Sequence, residues 1–199
     1  MADSQNRISL NLPDAEIYLW LDYFTKKQSD IYLQQFFSTI AWQQEKINLF
    51  GKQIELPRLT AWYADPGKTY TYSGIQNKPQ PWTSILLEIK QAVERAAKVT
   101  FNSVLLNFYR HGRDSMGWHA DDEPELGTNP VIASVSFGQT RRFHFRHRTD
   151  KKLPKKSILL NSGSLLLMQG PTQHYWQHQV PKTTQPSTPR LNLTFRSIQ

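Results

Sequence analysis

Apolar residues in the first hundred positions recur with two different periods. Residues 15–24 alternate between two sides of the chain, which indicates a β-strand. Residues 31–40 instead have the spacing of an amphipathic helix, with Asp30 as its candidate N-cap. A second helix is predicted from about Ser84 to Lys98. The apolar stripes are Leu33, Phe36, Phe37 and Ile40 in the first helix and Ile85, Ile89, Val93 and Ala97 in the second.

From residue 101 onwards the pattern changes to short segments of period two. Many short strands separated by Gly, Asn and Pro indicate a mostly β (α+β) fold, a β-sandwich or jelly roll with the N-terminal helices packed on one sheet. The sequence has no glycine-rich phosphate loop and no βαβ rhythm, which argues against a Rossmann core. A turn is predicted at residues 161–163. The predicted strands are residues 104–110, 131–137, 141–148, 157–160, 164–168 and 190–196.

Composition narrows the possible chemistry. The chain of 199 residues contains no cysteine, so a metal site must use His, Asp or Glu. The N-terminus lacks the apolar stretch of a signal peptide and no segment has the apolar length of a membrane span, so we expect an intracellular protein without a membrane partner. The net charge of +8 favours a polyanion such as nucleic acid as partner, although solubility alone would also explain it.

The segment GWHADDE contains a candidate pair of metal ligands. Side chains two positions apart in an extended chain point the same way, so His119 and Asp121 can reach one ion. His178 is the best candidate for a third ligand. His174 is a rival that we interpret as a core histidine or, like Gln177, as a partner that orients a ligand. Two histidines and a carboxylate form the facial triad of non-haem iron(II) oxygenases, but zinc hydrolases use the same ligand types.

The last predicted strand places four polar residues on one face. Arg190, Asn192, Thr194 and Arg196 alternate with apolar residues. A solvated face is the simpler interpretation, and a site that binds a dicarboxylate through arginine forks is the alternative. Because a strand of this length spans about 20 Å, the two arginines would have to lean toward each other to bind both ends of one small acid.

Six runs of the sequence occur together and in order: LLNFYRHGRDSMGWHADDE, IASVSFG, RRFHFRHR, SGSLLLM, PTQHYWQHQVP and PRLNLTFR. With these runs the sequence resembles the AlkB family of iron(II)- and 2-oxoglutarate-dependent DNA dealkylases. The resemblance covers residue 45 to the end and is closest to the animal-type subgroup that acts on double-stranded DNA. Phe108 and Ala120 depart from the family pattern, but neither replaces a ligand.

The resemblance implies a double-stranded β-helix core and oxidative demethylation of N1-methyladenine and N3-methylcytosine in DNA, with release of formaldehyde, succinate and CO2. It implies that Fe(2+), bound by His119, Asp121 and His178, reacts with O2 and the cosubstrate 2-oxoglutarate. The implied 2-oxoglutarate contacts are Asn107, Tyr109, Arg190, Asn192 and Arg196.

The resemblance also implies contacts with the damaged base. Tyr70 and Tyr72, in TYTYSG, match the base-recognition segment, although they could equally be packing residues of a hairpin. Asp122 and Glu123 follow the iron ligands, and a carboxylate there would favour the cationic methylated bases over neutral ones. A solvated acidic loop is the alternative interpretation.

Three further features imply contacts with the DNA strands. Phe50, in INLFGKQIELPR, is the candidate finger that enters the space left by a flipped base, unless it is an ordinary turn residue. Arg58 is expected to contact the pocket or a phosphate. A basic hairpin is expected to follow the phosphate backbone rather than simply face solvent. Its cations are Arg141, Arg142, Arg146, Arg148, Lys151, Lys152, Lys155 and Lys156.

We therefore expect one dioxygenase domain over residues 1–199, with helices and nucleotide-recognition hairpins in 1–100 and the jelly-roll catalytic core in 101–199. It should act as a monomer on alkylated, double-stranded DNA, in the cytoplasm of a bacterium or the nucleus of a eukaryote. The alternatives are a demethylase of RNA or single-stranded DNA, a non-catalytic module that binds alkylated DNA, and a hydroxylase of small molecules or proteins. The intact triad disfavours the module, and the basic hairpin disfavours the hydroxylase.

Overall fold

Strands dominate the part of the chain that the computed structural model describes, residues 6–49, 51–68, 70–72, 75–77, 79–185 and 188–199. The helices are α1 (Lys26–Thr39), α2 (Ser84–Ala97) and the single turn α3 (Thr172–Tyr175), with a 3-10 turn at Pro124–Leu126. The strands are β1 (Ile8–Ser9), β2 (Glu16–Trp20), β3 (Lys46–Leu49), β4 (Lys52–Glu55), β5 (Leu59–Ala64), β6 (Tyr70–Tyr72), β7 (Ile75–Asn77), β8 (Ser103–Tyr109), β9 (Met116–His119), β10 (Ile132–Gly138), β11 (Arg141–His147), β12 (Lys156–Leu160), β13 (Leu165–Gln169), β14 (Trp176–Val180) and β15 (Arg190–Arg196).

The strands form a major and a minor antiparallel sheet. The major sheet has the order β1-β2-β13-β10-β15-β8-β5, and the minor sheet has the order β12-β11-β14-β9. From β8 onwards the chain passes repeatedly from one sheet to the other, which is the winding of a jelly roll. The pairs β3–β4 and β6–β7 are separate hairpins. The predicted mostly β fold with a jelly-roll core is confirmed.

Two apolar cores lie on opposite faces of the major sheet. One core packs α1 and α2 against the sheet and includes Phe36, Ile89 and Phe137. The other lies between the two sheets and includes Phe145 and Leu166. Because β10 and β15 lie between both cores, their side chains are buried on both faces rather than alternating between core and solvent. The prediction that the helices cover one face of a sheet is confirmed.

The first helix begins at Lys26, and the prediction of Asp30 as its N-cap is wrong. Thr25 caps the helix, because its hydroxyl accepts a hydrogen bond from the N–H of Gln28 at 3.3 Å. The side-chain oxygen of Gln28 in turn accepts the N–H of Thr25 at 3.0 Å. This reciprocal capping box satisfies two N–H groups that a helix otherwise leaves unpaired. Asp30 lies within the helix and pairs with Lys26 at 2.6 Å.

The buried stripes differ in detail from those that the spacing predicts. Phe37 is 40% exposed, whereas Tyr32 and Phe36 face the core, because the helix turns Phe37 toward its outer side. In α2, Leu86 is fully buried and Ile85 is only partly buried. Within the described residues, no helix is both long enough and apolar enough to cross a membrane.

A glycine turn carries the chain from the minor sheet to the major sheet. Gly163 has a φ of +86° and lies so close to the carbonyl oxygen of Phe24 that a Cβ would stand 2.2 Å from it. Its N–H donates to the carbonyl of Ser136 at 2.7 Å. The turn predicted at residues 161–163 is therefore confirmed, and the strands on either side of it belong to different sheets. Only glycine tolerates both this φ and this close approach.

The predicted basic hairpin is formed by β11 and β12, which pair antiparallel. Its first residue does not belong to the exposed charge. Arg141 is buried, and its guanidinium donates to the carbonyls of Asp114 at 3.0 Å and Pro181 at 2.6 Å. The expectation that Arg141 follows a phosphate backbone is wrong, because its side chain is enclosed by loops that it holds in place.

The capping box gives a test of the helix start. We expect Thr25→Ala to lower the free energy of unfolding by about 1 kcal/mol, because the N–H of Gln28 loses its hydroxyl acceptor. Chemical denaturation followed by circular dichroism measures the change. Thr39→Ala, at the exposed C-terminal end of the same helix, is the matched control and should change it by less than about 0.5 kcal/mol. Equal losses in the two variants would contradict the capping role.

Candidate active site

The structure brings together the three residues predicted as metal ligands. His119 ends β9 and lies directly across from His178 of β14. Asp121 follows β9 by two residues, so that its side chain points to the same side as His119. One ligand atom from each residue lies within 4.8 Å of the others, and Asp121 and His178 are buried. The arrangement could hold a metal ion between the two sheets.

His174 lies away from this cluster. It is exposed, and its Nε2 atom is 2.9 Å from the side-chain oxygen of Asn129. The interpretation of His174 as a core histidine or as a partner of a ligand is therefore wrong. It lies in the short α3, which directs the side chain outward.

Burial sets the protonation states of the triad. Burial lowers the pKa of His119, and burial together with the charge of His119 lowers the pKa of His178 to about 3. Burial alone would raise the pKa of Asp121, but neighbouring positive charge, above all that of Arg196, outweighs it and lowers this pKa to about 2. The site therefore presents two neutral imidazoles and a carboxylate at neutral pH, the forms that bind a divalent cation.

Neighbouring groups orient the candidate ligands. Nδ1 of His119 lies 2.9 Å from the carbonyl oxygen of Gly117, which can only accept, so Nδ1 carries the proton and Nε2 is left for a metal. The backbone N–H of Asp121 donates to the side chain of Gln173 at 2.9 Å. Gln177, a predicted orienting residue, instead accepts hydrogen bonds from Arg146.

A small cavity of about 30 Å³, with polar and apolar walls, lies at the triad between the two sheets. Its polar walls come mainly from β8 and β15, both central strands of the major sheet. Because these strands are covered on both faces, the polar face of β15 is buried and the interpretation of a solvated face is wrong. The polar wall residues are Asn107, Tyr109, Ser134, Asn192, Thr194 and Arg196.

Arg190 is a buried cation at one end of this polar face, with 1% of its surface exposed. Its Nη2 donates to the hydroxyl of Ser136 at 2.9 Å, and its guanidinium carbon lies 5.1 Å from the ring centre of Tyr109. Burial lowers the pKa of Arg190 to about 10, so it stays charged at neutral pH. Its Nε and Nη1 atoms are buried and have no hydrogen-bond partner among the described residues. A ligand carboxylate would satisfy both donors in a bidentate fork.

The two arginines of β15 lie at opposite ends of its polar face. Arg196 donates to a carboxylate oxygen of Asp121, at the triad. Arg190 is paired in the sheet with Tyr109 and Gly138, at the other end of the strand. The expectation that the arginines lean toward each other is therefore not met, because Arg196 is already engaged by a metal-ligand candidate. Arg190 and the triad therefore lie toward opposite ends of β15.

Arg58 lies behind the cavity wall rather than on the surface. It is 2% exposed, and its Nε donates to the side-chain oxygen of Asn107 at 2.8 Å. The suggested contact of Arg58 with a DNA phosphate is contradicted, because burial removes the guanidinium from the surface. The guanidinium of Arg58 instead contacts Asn107, which lines the cavity.

The two acidic residues after the triad have different surroundings. Asp122 is exposed and forms an ion pair with Arg148 at 2.5 Å. Glu123 is partly buried, and its Oε2 atom is enclosed without a hydrogen-bond partner among the described residues. The charge of Asp122 is therefore already compensated by Arg148. Glu123 instead has a buried carboxylate oxygen that lacks a hydrogen-bond partner among the described residues.

The remaining predicted base contacts are not placed by the structure. Tyr70 and Tyr72 are the first and last residues of β6, whose side chains lie outside the described set. Phe50 lies outside the described residues, between the end of β3 and the start of β4.

Sequence reasoning missed several residues of the site. Ser134 and Ser136 accept hydrogen bonds from Asn192 at 2.7 Å and Arg190 at 2.9 Å. Their signal was present, because the two serines alternate with apolar residues in the otherwise buried run IASVSFG. Gln173 gives no such signal, since its partner Asp121 is distant in the sequence.

Comparison with known proteins agrees with this geometry. A family model described as the 2OG-Fe(II) oxygenase superfamily matches residues 16–196. The chain is 41% identical over 192 residues to alpha-ketoglutarate-dependent dioxygenase alkB homolog 3 of Mus musculus, covering 92% of this chain and 66% of that protein. It is 43% identical over 159 residues to DNA oxidative demethylase ALKBH2 of Homo sapiens, covering 77% of this chain and 61% of that protein. The chain thus spans somewhat less than two thirds of the length of these curated relatives.

The solved structure of OsALKBH1 matches with a TM-score of 0.60 at 18% identity, over 91% of this chain and 96% of that chain, which shows the fold. The donor set also fits the family's cofactors: two neutral imidazoles and a carboxylate suit Fe(2+), and the unpaired donors of Arg190 suit a carboxylate of 2-oxoglutarate. The family model, which spans nearly the whole chain, decides between this chemistry and that of a zinc hydrolase. The chain belongs to the 2OG-Fe(II) oxygenase superfamily, whose members use Fe(2+), 2-oxoglutarate and O2.

Proposed function

We propose that this chain is a DNA repair dioxygenase that removes N-methyl groups from alkylated bases by oxidation. The observation that supports it most is the buried polar face of β15, which contacts the His-Asp-His triad through Arg196 at one end and has the unpaired donors of Arg190 at the other. The substrate class follows from relatives named DNA oxidative demethylase, which are 43% identical to this chain. N1-methyladenine and N3-methylcytosine are the proposed lesions.

In this proposal His119, Asp121 and His178 bind Fe(2+). Arg190 and Tyr109 bind the far carboxylate of 2-oxoglutarate, and the amide of Asn107 donates to that molecule. Asn192 and Arg196 line the same site while they pair with Ser134 and Asp121. Fe(2+) and 2-oxoglutarate, when bound, use O2 to hydroxylate the N-methyl group and yield succinate and CO2. The protein positions the reactants and keeps bulk water out, and burial of the cavity walls suits this role.

The second half of the reaction needs no further oxidant. The hydroxymethyl group loses its O–H proton, the C–N bond breaks, and the electron pair returns to the ring nitrogen, which gives formaldehyde and a neutral base. The substrate base carries a positive charge that the product has lost. A carboxylate beside the base therefore favours binding of the lesion over the repaired base.

We assign this carboxylate to Glu123 rather than to Asp122. The buried oxygen of Glu123 lacks a partner among the described residues, so a cationic base with N–H donors would satisfy it. Asp122 already pairs with Arg148. Tyr70 and Tyr72 are proposed to stack against or bind the flipped base, as aromatic residues do in pockets that accept extruded nucleotides.

The exposed cations of the β11–β12 hairpin form the proposed contact with the phosphate backbone. Arg142, Lys151 and Lys152 are exposed, and phosphate contacts mainly require accessible positive charge. We propose that residues 1–199 act as a single domain and as a monomer on double-stranded DNA. The compartment would be that of the DNA, the cytoplasm of a bacterium or the nucleus of a eukaryote.

The reaction class can be tested directly. Incubation with Fe(2+), ascorbate, 2-oxoglutarate and a duplex that carries one N1-methyladenine should remove the methyl mass, as measured by mass spectrometry. His119→Ala should abolish the reaction, because a metal ligand is lost. Turnover of 2-oxoglutarate without demethylation would leave the iron chemistry standing and remove alkylated DNA as the substrate.

The assignment of Glu123 gives a second test. We expect Glu123→Gln to lower kcat/KM for the cationic N1-methyladenine by about tenfold or more, because a charge-assisted contact with the base is lost. Asp122→Asn is the matched control, and its effect should be threefold or less, the range of an exposed ion pair. Steady-state kinetics on the same duplex compares them. A larger loss in Asp122→Asn would reverse the assignment.

Strand preference depends on Phe50. If this residue is the finger that fills the space left by the flipped base, Phe50→Ala should lower activity on duplex DNA by tenfold or more, since unstacking costs on the order of a few kcal/mol. Activity on the same lesion in single-stranded DNA should change little. The ratio of the two rates is the measurement, and equal losses would favour single-stranded DNA or RNA as the substrate.

A further inference from the structure

The β3–β4 hairpin is anchored to the cavity wall by residues 56–58. The N–H of Leu56 donates to the carbonyl of Glu45 at 2.8 Å, which closes the stem of the hairpin. The carbonyl of Pro57 accepts the N–H of Ser115 at 2.9 Å, one residue before β9 begins. The segment therefore contacts the strand that ends in His119.

Arg58 completes this anchor with a buried side chain. Its Nε donates to Oδ1 of Asn107 at 2.8 Å, and its Nη1 donates to the carbonyl of Ser115 at 3.4 Å. Asn107 lies on β8, lines the cavity and is only 6% exposed. The contact thus joins two buried side chains that lie 49 positions apart in the sequence.

The chemistry of this contact fixes the orientation of the Asn107 amide. A guanidinium has donors and no acceptor, so only the oxygen of the amide can face Arg58. The NH2 group, on the other branch of the amide, is then left for the cavity. A carboxylate accepts hydrogen bonds from an NH2 group and repels an amide oxygen, so the orientation decides whether Asn107 attracts or repels an anionic ligand.

We propose that Arg58 is a positioning residue for the cosubstrate: it holds Asn107 so that its NH2 group donates to a carboxylate oxygen of 2-oxoglutarate. The inference deepens the proposed function and rests on its assignment of Asn107 to the 2-oxoglutarate site. It also gives the anchor of the β3–β4 hairpin a role in cosubstrate binding.

The test is a double-mutant cycle on the affinity for 2-oxoglutarate. Calorimetric titration of 2-oxoglutarate into the Mn(II)-loaded protein, without DNA, measures binding in the absence of turnover. Arg58→Met and Asn107→Ala should each weaken binding by about tenfold, the size of a lost hydrogen bond to a charged group. The double variant should bind no more weakly than Asn107→Ala alone, because Arg58 acts through Asn107.

Arg58→Lys gives a second, milder variant of the same cycle. Its ammonium group keeps the charge and one donor, so it should retain more affinity than Arg58→Met. Arg141→Met is the matched control, because Arg141 is a buried arginine that donates to backbone carbonyls rather than to Asn107. Whatever loss Arg141→Met causes should be the same factor with and without Asn107→Ala. Thermal unfolding identifies which variants fold.

The outcomes separate the inference from the function on which it rests. Loss of affinity that disappears in the Asn107→Ala background supports the positioning role. The inference is overturned if a folded Arg58 variant binds as wild type, or if its loss is the same factor in both backgrounds. Wild-type protein that binds 2-oxoglutarate tightly but leaves N1-methyladenine intact would instead count against the proposed substrate and leave the cycle interpretable.

Discussion

The buried ion pair between Asp121 and Arg196 joins the two sheets at the candidate metal site. Asp121 follows the edge strand of the minor sheet, and Arg196 ends the last strand of the major sheet. A carboxylate in this position would take up a proton if it lacked a cation, and the pair lowers its pKa to about 2 instead. Removal of one partner from such a pair costs about 3–5 kcal/mol, because the other charge stays buried. The ionised ligand, and with it the site, depends on this contact.

The polar wall of the cavity results from the central position of β15 in the major sheet. A strand at the centre of a sheet that is covered on both faces has no solvated side, so its polar residues must satisfy each other or a ligand. Asn192 and Thr194 are satisfied within the protein, because Asn192 donates to Ser134 of β10 and accepts from Thr194. The guanidinium of Arg190 is only partly paired, which leaves two buried donors for a ligand. The binding capacity of the site is thus a consequence of incomplete pairing in an otherwise satisfied interior.

Alternation along the strands made the sheet, the His119–Asp121 pair and the polar face of β15 predictable from sequence. Local spacing was enough for these features, because residues two positions apart share a side in any strand. It failed where the deciding contact joins distant segments. No local pattern in the sequence indicates three of these contacts. They are the hydrogen bond from Arg58 to Asn107, the hydrogen bond from Asp121 to Gln173, and the enclosure of Arg141 by loop carbonyls. The adjacent residues Asp122 and Glu123 are both acidic, so the sequence does not show which of them is free to bind a base. The ion pair of Arg148 with Asp122 distinguishes them in the structure.

Among the described residues, β9 lies at the edge of the minor sheet and pairs with β14 alone, in a register that shifts between His178 and Val180. Its pairing is therefore short and irregular, and its end residue His119 is one of the candidate ligands. A metal held by His119 and His178 would link this edge strand to its neighbour. Detachment of β9 would then be the step that exposes the ion, so the lifetime of the bound metal would be set by the opening of one short strand and not by unfolding of the whole protein.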